Sequence, residues 1–255
     1  MKKSVYMVGV LALLAIVAVV SFIVDKKIKE EEQDVTEETV QGDTSLTVYG
    51  ELSKVALVSE LQHSVVQIEV AVTNDSGTEA TILGSGVILE VTEDYIDIAT
   101  ASHVVELTAK PLVYFNDGNL AYGSVLAYGR LSDVAFVRIN AADISVETET
   151  YKAVICADND DYAGLTADDL VYMLGSATTV SGDVKEGSIK ETEQFVELFQ
   201  NNMLVCETAV SAGMSGGGTF DEQGKCIGII VGTGENESVS VAITDVLSEY
   251  RSISQ

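Results

Sequence analysis

Proline, tryptophan, histidine and basic residues are all scarce in this sequence of 255 residues. One proline and no tryptophan exclude a proline-rich or collagen-like chain. The 14 Lys and Arg residues are outnumbered by 40 Asp and Glu residues, which gives a net charge of −26. Nucleic-acid binding needs clustered Lys and Arg against the phosphates, so this charge argues against it. With 47% hydrophobic and 21% charged residues, the composition is still that of a globular chain.

Cysteine is also scarce, and its placement predicts neither a disulfide scaffold nor a zinc site. Cys156, Cys206 and Cys226 allow at most one intramolecular disulfide, because their number is odd. Cys206 and Cys226 lie in apolar segments, where we expect buried thiols. No Cys/His cluster has zinc spacing, and the acidic residues 158–161 are better explained as a solvated loop than as a calcium site. We therefore expect no metal and no cofactor.

A long apolar run near the N-terminus predicts a membrane anchor. Residues 5–24 contain only two polar side chains, Tyr6 and Ser21. As a helix they would span roughly 30 Å, the thickness of the hydrocarbon layer. A cleavable signal peptide is the alternative, but residues 19–21 match its small-x-small site poorly. We predict a transmembrane helix in residues 1–25 and an acidic tether in residues 26–45; lysines on both sides of the run leave its orientation open.

Residues 46–255 consist mostly of short β-rich runs and hold 9 basic and 32 acidic side chains. The runs are residues 64–72, 86–91, 95–99, 111–114, 134–139, 170–174, 203–210, 226–231 and 238–243. Turn residues separate them, such as N-D-S-G at 74–77 and N-D-G at 116–118. This spacing predicts an all-β barrel or sandwich. Two helices are also expected, at residues 52–62 and 244–253, the second capped by Thr244 or Asp245.

The sharpest chemical motif is S-A-G-M-S-G-G-G at residues 211–218. A serine inside a glycine cluster puts a hydroxyl on a tight loop whose backbone amides can face a substrate oxygen, as a nucleophilic serine requires. A plain glycine-rich turn between strands is the alternative for this motif taken alone. The motif also fits the G-x-S-x-G elbow of α/β-hydrolases, but those enzymes need a histidine after the serine, and none follows Ser215.

The chain offers only two histidines, His63 and His103, as a base for this serine. A serine nucleophile needs a neutral base near pH 7, and imidazole is the usual one. His63 ends a predicted helix and is better explained as a surface or capping residue, whereas His103 follows an apolar strand among small residues. An acid must also orient the imidazole. Asp133 is the best candidate because an apolar strand follows it directly, although a simple turn aspartate is the alternative.

In the order His, Asp, Ser, these segments resemble the chymotrypsin-fold serine proteases, and the HtrA (Deg) group in particular. The matching segments are G-S-G-V-I at 84–88, T-A-S-H-V-V at 100–105, S-D-V-A-F-V-R-I at 132–139, residues 207–217 and G-K-C-I-G-I at 224–229, with weaker matches at 169–175 and 187–189. The likeness covers roughly residues 50–250. The joint occurrence of these segments in one order is far more specific than any single motif.

The resemblance implies an all-β, chymotrypsin-like double β-barrel with a C-terminal helix, built from two six-stranded barrels at about residues 46–145 and 146–255. His103 and Asp133 would come from the first barrel and Ser215 from the second, and together they would form a catalytic triad. The amides of Gly213 and Ser215 would form the oxyanion hole. The substrate would be bound by small or apolar residues, which favour a small or medium apolar side chain before the cut: Ala209, Val210, Ser211, Ile230 and Val231.

Four positions of the serine loop depart from the HtrA pattern. Met214 stands where that group has Asn, Gly218 replaces a proline, and Ser211 and Ala212 replace Asn-Pro. We expect the added glycine to loosen the loop. Met214 need not abolish catalysis, because the amides and not that side chain would bind the oxyanion.

At the level of function, the resemblance implies a membrane-anchored serine endopeptidase in extracytoplasmic protein quality control or regulated proteolysis. Exposed or unfolded protein segments would be its substrates. The resemblance also implies a homotrimer, since HtrA-type enzymes are typically trimers, and no PDZ domain is expected after the last predicted helix. A catalytically impaired, protease-like binding or sensing module is the alternative.

Overall fold

A computed structural model describes residues 54–73, 79–130, 132–175 and 183–253. The predicted N-terminal anchor and acidic tether lie outside these residues. Across the described ranges, no helix combines the length and the apolar character needed to cross a membrane.

The first half of the described chain forms one antiparallel sheet. Its elements are α1 (residues 54–62), β1 (Val65–Thr73), β2 (Glu79–Val91), β3 (Tyr95–Ala101), α2 (Ser102–Val105), β4 (Leu112–Tyr114), β5 (Leu120–Tyr122), β6 (Ser124–Tyr128) and β7 (Val134–Asn140). The strands lie in the order β5-β4-β1-β2-β3-β7-β6. The Gly123 N–H donates to the Pro111 carbonyl (2.9 Å) and the Val125 N–H to the Ala109 carbonyl (3.1 Å). These bonds join the entry to β4 with the far edge strand β6, so the sheet curls into a barrel-like layer.

The second half forms a closed barrel followed by a helix. Two short 3₁₀ turns, Ala141–Asp143 and Thr148–Thr150, lead into it. Its elements are α3 (Asn159–Ala163), β8 (Leu170–Gly175), β9 (Asp183–Val196), β10 (Asn201–Cys206), β11 (Gly218–Asp221), β12 (Cys226–Thr233), β13 (Ser238–Ala242) and α4 (Ile243–Ile253). The barrel closes in the order β10-β13-β12-β11-β8-β9.

The all-β fold with a C-terminal helix is confirmed, with corrections in its details. The first unit is a seven-stranded sheet, where a six-stranded barrel was expected. Strands β5, β6, β9 and β11 were missed. Strand β9, for example, is long, but its sequence is mostly polar and only Ile189 in it is fully buried. The predicted caps of the last helix were wrong, since α4 begins at the buried Ile243 and both Thr244 and Asp245 lie in its first turn.

Helix α4 packs against strands β12 and β13 of the second barrel, and its side chains also reach the first sheet. The Tyr250 ring lies 5.4 Å from the Phe136 ring, between centroids. Its hydroxyl lies 2.5 Å from Asp97 Oδ2 and 2.6 Å from Glu90 Oε2. Asp97 is fully buried, and Arg138 satisfies it with two further hydrogen bonds of 2.7 and 2.6 Å. The Tyr250 hydroxyl therefore links the end of the chain to a buried ion pair of the first sheet.

We expect Tyr250→Phe to lower the free energy of unfolding by about 1–3 kcal/mol, because it removes a hydroxyl that bonds a buried carboxylate. Urea unfolding of the full chain measures this change. Tyr122→Phe is the matched control, since the Tyr122 side chain is exposed and its loss should be nearly neutral. Equal effects of the two substitutions would contradict the role given to Tyr250.

Candidate active site

Pairing of β3 with β7 brings His103 beside Asp133. Ala101, the last residue of β3, pairs with Val134, the first residue of β7. The Ser102 N–H donates to the Asp133 carbonyl (3.2 Å), and the Ser102 hydroxyl donates to the Val134 carbonyl (2.5 Å). The short helix α2 thus starts directly against the residue that precedes β7. The next residue in α2 is His103.

The His103 imidazole and the Asp133 carboxylate are bonded to each other. Nδ1 of His103 lies 2.6 Å from Oδ2 of Asp133, and the His103 N–H donates to Oδ1 (3.1 Å). The hydrogen bond to Asp133 raises the pKa of His103 above its usual 6.5, although partial burial opposes the shift. With Nδ1 directed at the carboxylate, Nε2 is the ring nitrogen left to accept a proton. The pair therefore has the arrangement of an oriented general base.

Ser215 lies on the loop between β10 and β11, and that loop is tied to the first sheet through Ser85. The Ser85 N–H donates to the Ser215 carbonyl, and the Ser85 hydroxyl donates to the Gly213 carbonyl, both at 2.8 Å. The Thr100 hydroxyl in turn donates to the Ser85 carbonyl (2.7 Å). Gly216 has a φ of 88°, and a Cβ there would overlap the Ser85 carbonyl oxygen and the Thr100 hydroxyl. The loop is thereby held against the end of β3, just before His103 in sequence.

The backbone amides of Gly213 and Ser215 are among the groups of this loop that have no acceptor in the described part of the chain. The loop's internal bonds run from the Met214 N–H to the Ser211 carbonyl (3.1 Å) and from the Gly217 N–H to the Met214 carbonyl (2.9 Å). Within the described ranges, neither the Gly213 N–H nor the Ser215 N–H donates to a protein atom. Gly213 has a φ of 89°, which glycine adopts without strain. These are the two amides that the sequence assigned to an oxyanion hole.

The substitutions at Met214 and Gly218 have defined places in the structure. The Met214 side chain is fully buried against Gly175, and its Sδ accepts from the Ser211 N–H (3.4 Å). Gly218 is the first residue of β11 and pairs with Ile229 and Leu174. The expectation that Gly218 loosens the loop is therefore wrong, because the residue is fixed in the barrel between two neighbouring strands.

The predicted substrate-binding residues differ in their burial and in the hydrogen bonds of their backbone groups. Ile230 is fully buried, and its N–H and carbonyl bond Gly217 and Gly216, at 2.8 and 2.7 Å, so it anchors the loop. The Val210 N–H donates to the Thr233 hydroxyl (3.3 Å). Val231 is buried, whereas Ala209 and Ser211 are half-buried at the loop. Their contact with a substrate stays a prediction.

The structure joins His103 to Asp133 directly and brings the Ser215 loop against the adjacent strand end. Among the residues it describes, no hydrogen bond connects the Ser215 hydroxyl to the His103 ring. His63 is exposed at the end of α1. Ser85 and Thr100 were missed as site-supporting residues, although both lie in the segments that carried the family resemblance.

Structural roles are found for residues that the sequence assigns to no functional site, namely the acidic residues 158–161 and the three cysteines. Asp158 caps α3 by accepting from the N–H groups of Asp160 (2.9 Å) and Asp161 (2.8 Å). No group of side chains in the described ranges could hold a metal ion. The three cysteines are free thiols, and Cys206 and Cys226 are buried as expected. Burial raises the pKa of Cys156 to about 11 and that of Cys206 to about 12, so both are protonated thiols at neutral pH.

Comparison with known proteins adds an independent observation. Residues 84–229, which include His103, Asp133 and Ser215, match the trypsin-like peptidase domain family. Proteins described as "Serine protease HtrA-like" in Staphylococcus aureus strains USA300, NCTC 8325 / PS 47 and COL are each 26% identical to the chain over 204 residues. The alignments cover 72% of this chain and 26% of each relative. The chain therefore spans about a quarter of the length of these curated relatives.

We expect Met214→Ala to lower the free energy of unfolding by about 2–5 kcal/mol, because it leaves a cavity under the serine loop. Denaturant unfolding of the full chain measures this loss. Leu198→Ala is the control, since Leu198 is 83% exposed and its truncation should cost little. A loss no larger than that of the control would show that Met214 does not anchor the loop by packing.

Proposed function

Because this chain belongs to the trypsin-like peptidase family, we propose that it is a serine endopeptidase whose catalytic triad is His103, Asp133 and Ser215. The observation that carries the proposal is the 2.6 Å bond between His103 Nδ1 and Asp133 Oδ2, beside a serine loop held against the same strand end. That bond supplies an oriented base with a raised pKa.

In this mechanism Ser215 Oγ attacks the carbonyl carbon of the scissile peptide bond. His103 Nε2 takes the hydroxyl proton as the new C–O bond forms, and Asp133 stabilises the resulting imidazolium through Nδ1–H. The imidazolium then gives its proton to the leaving amine as the C–N bond breaks, which leaves an acyl-enzyme. Water attacks the ester with His103 as base, and the carboxylic acid and the free Ser215 hydroxyl are released.

The Gly213 and Ser215 amides would stabilise the negative oxygen of the tetrahedral intermediates. Their N–H groups have no acceptor in the described part of the chain, so they can donate to that oxygen without first breaking a bond. The Ser85 hydroxyl bonds the Gly213 carbonyl and so holds the peptide group between Gly213 and Met214, which lies between these two amides. Preorganised donors of this kind contribute about 10²–10³-fold each to the rate.

The substrate would be an extended protein segment that binds beside the serine loop and β12. Ala209, Val210, Ser211, Ile230 and Val231 are small or apolar, and they support a small or medium apolar side chain before the cut. Ile230 would contribute through its support of the loop. The excess of 32 acidic over 9 basic side chains in residues 46–255 would draw basic segments toward the domain.

In the cell, this activity would lie at the membrane. The apolar residues 5–24 would anchor the chain, and residues 26–45 would tether the peptidase domain outside the cytoplasm. An anchored peptidase acting on exposed or unfolded segments suits protein quality control or regulated proteolysis. A homotrimer is the assembly that the HtrA resemblance favours.

A second candidate is a protease-like binding or sensing module with an impaired triad. The observation in its favour is that no hydrogen bond joins the Ser215 hydroxyl to the His103 ring within the described residues. Catalytic hydrogen bonds often tighten only when substrate binds, so this observation separates the candidates less than a chemical test of Ser215 does.

We expect a fluorophosphonate probe to label the full chain once, at Ser215, because the reagent reacts with a serine that a neighbouring base activates. Intact-mass and peptide mass spectrometry locate the adduct. Ser215→Ala should abolish labelling, whereas the control Ser145→Ala, at an exposed bend between the two 3₁₀ turns, should keep it. A folded wild-type chain that stays unlabelled would favour the binding module.

We expect kcat/KM to rise with pH through a midpoint above 6.5, because the catalytic form of His103 is neutral and the Asp133 bond raises its pKa. Below the midpoint the protonated ring cannot accept the Ser215 proton. Asp133→Asn should lower the midpoint and reduce kcat by about 10⁴-fold, since the tautomer is no longer enforced. Steady-state rates on a peptide substrate between about pH 5 and pH 9 measure both effects; a midpoint at or below 6.5 in the wild type would contradict the coupling.

A further inference from the structure

The segment that leads into Asp133 is bonded to the C-terminal helix, at a residue that sequence motifs did not single out. Glu249 lies on α4, more than a hundred positions away in sequence. Its Oε2 accepts from the Arg130 N–H (2.6 Å), and its Oε1 accepts from the Ser132 hydroxyl (2.5 Å). One carboxylate therefore bonds two residues of the segment, and both of its oxygens are used.

Gly129, at the start of this segment, lies close to the Glu249 carboxylate. The Gly129 N–H donates to the Val134 carbonyl (2.6 Å), and a bend at Ser132 and Asp133 directly precedes Val134. A Cβ at Gly129 would lie 2.6 Å from Glu249 Oε2 and 2.8 Å from the Ser132 carbonyl oxygen. Only glycine leaves room there for the carboxylate. The Gly129 backbone and the Glu249 side chain are therefore closely packed against each other.

The helix that carries Glu249 is itself fixed to the first sheet. The next residue, Tyr250, bonds the buried Asp97 and packs against the Phe136 ring. Phe136 lies in β7, the strand that Asp133 precedes. Glu249 therefore acts from a rigid position, and a hydrogen bond from such a position can restrain the turn.

We propose that Glu249 is a positioning residue, which holds the turn before β7 so that the Asp133 carboxylate stays aligned with His103. The proposal rests on the function proposed above for its catalytic consequence, whereas the alignment itself is a property of the folded chain. Glu249 does not touch the reacting atoms; it acts through Arg130, Ser132 and the backbone of Asp133. Because misplacement of a catalytic group by about 1 Å can cost about 10²-fold in rate, a small displacement of this turn is sufficient to matter.

The test compares Glu249→Ala with Glu249→Gln. The alanine variant removes both acceptors, whereas the glutamine variant keeps an acceptor for the Arg130 N–H and can donate to the Ser132 hydroxyl. Both variants remove the charge, so a difference between them reports the hydrogen bonds. Ser132→Ala breaks one bond without altering the helix, and Glu191→Gln changes an exposed acid of β9 as the control.

The first readout is the pKa of the His103 imidazole, measured by NMR on the full chain with ¹⁵N-labelled histidine. The chain has only two histidines, and His63→Gln assigns their signals. The charged side chains that act on the His103 ring in the described part of the chain are Asp133 and Glu106. We expect Glu249→Ala to move the midpoint from its raised value toward about 6.5, Ser132→Ala to move it less, and Glu249→Gln and Glu191→Gln to leave it near wild type.

The second readout is steady-state kinetics on a peptide substrate. We expect Glu249→Ala to lower kcat by about tenfold or more with KM changed less than about threefold, because Asp133 is misaligned while the proposed substrate-binding residues are unaltered. Glu249→Gln should restore most of kcat. Folded Glu249→Ala and Ser132→Ala variants with wild-type midpoint and kcat would overturn the proposal, as would a Glu249→Gln variant no better than Glu249→Ala.

The two proposals fail in different ways. A wild-type chain that cleaves nothing and resists the fluorophosphonate overturns the proposed function, and the NMR midpoints still decide whether Glu249 aligns Asp133. An active wild type whose His103 midpoint ignores Glu249 and Ser132 overturns the positioning role alone. If Glu249→Ala does not fold, the comparison of Ser132→Ala with Glu249→Gln carries the same decision.

Discussion

The arrangement of the candidate site depends on one buried serine, Ser85 of β2. Its N–H and hydroxyl bond the carbonyls of Ser215 and Gly213, while its own carbonyl accepts from Thr100 at the end of β3. Ser85 therefore fixes the serine loop of one unit against the strand of the other that leads to His103. Because Ser85 is fully buried, these bonds are shielded from competing water, and each is costly to leave unmade. The serine loop and the strand end that leads to His103 meet at this junction.

The second connection between the two halves runs in the opposite direction. Ser85 reaches from the first sheet into the loop of the barrel, whereas α4 packs against β12 and β13 of the barrel and bonds the first sheet through its side chains. Tyr250 of α4 bonds Asp97, and Glu249 bonds the turn before Asp133. Each half thus supports the chemical group that the other contributes. Such reciprocal support is what a site built from two units needs, because otherwise a small shift between them would separate the proposed base from the proposed nucleophile.

Packing explains why the unusual residues of the serine loop are compatible with an ordered site. Met214 replaces a polar residue of the HtrA pattern, and its fully buried side chain gives the loop an apolar anchor against Gly175. Gly218 belongs to β11, where the barrel fixes its backbone. The sequence suggested a loosened loop because propensity describes isolated residues, whereas strand pairing overrides it here. The same limit hid β9, a long strand whose mostly polar side chains give no apolar alternation.

The candidate catalytic residues and their order along the chain can be proposed from the amino-acid sequence alone. Two histidines and one serine inside a glycine cluster point to His103 and Ser215, and an apolar strand directly after Asp133 points to the acid. These signals are local, so they can be recognised without a structure.

The distant groups that hold the site together become visible only in the folded chain. Ser85 and Glu249 bond residues more than a hundred positions away, and nothing in their neighbouring residues specifies those partners. A hydrogen bond forms where the fold brings donor and acceptor to within about 3 Å, and that distance is set by strand pairing and helix packing across the whole domain.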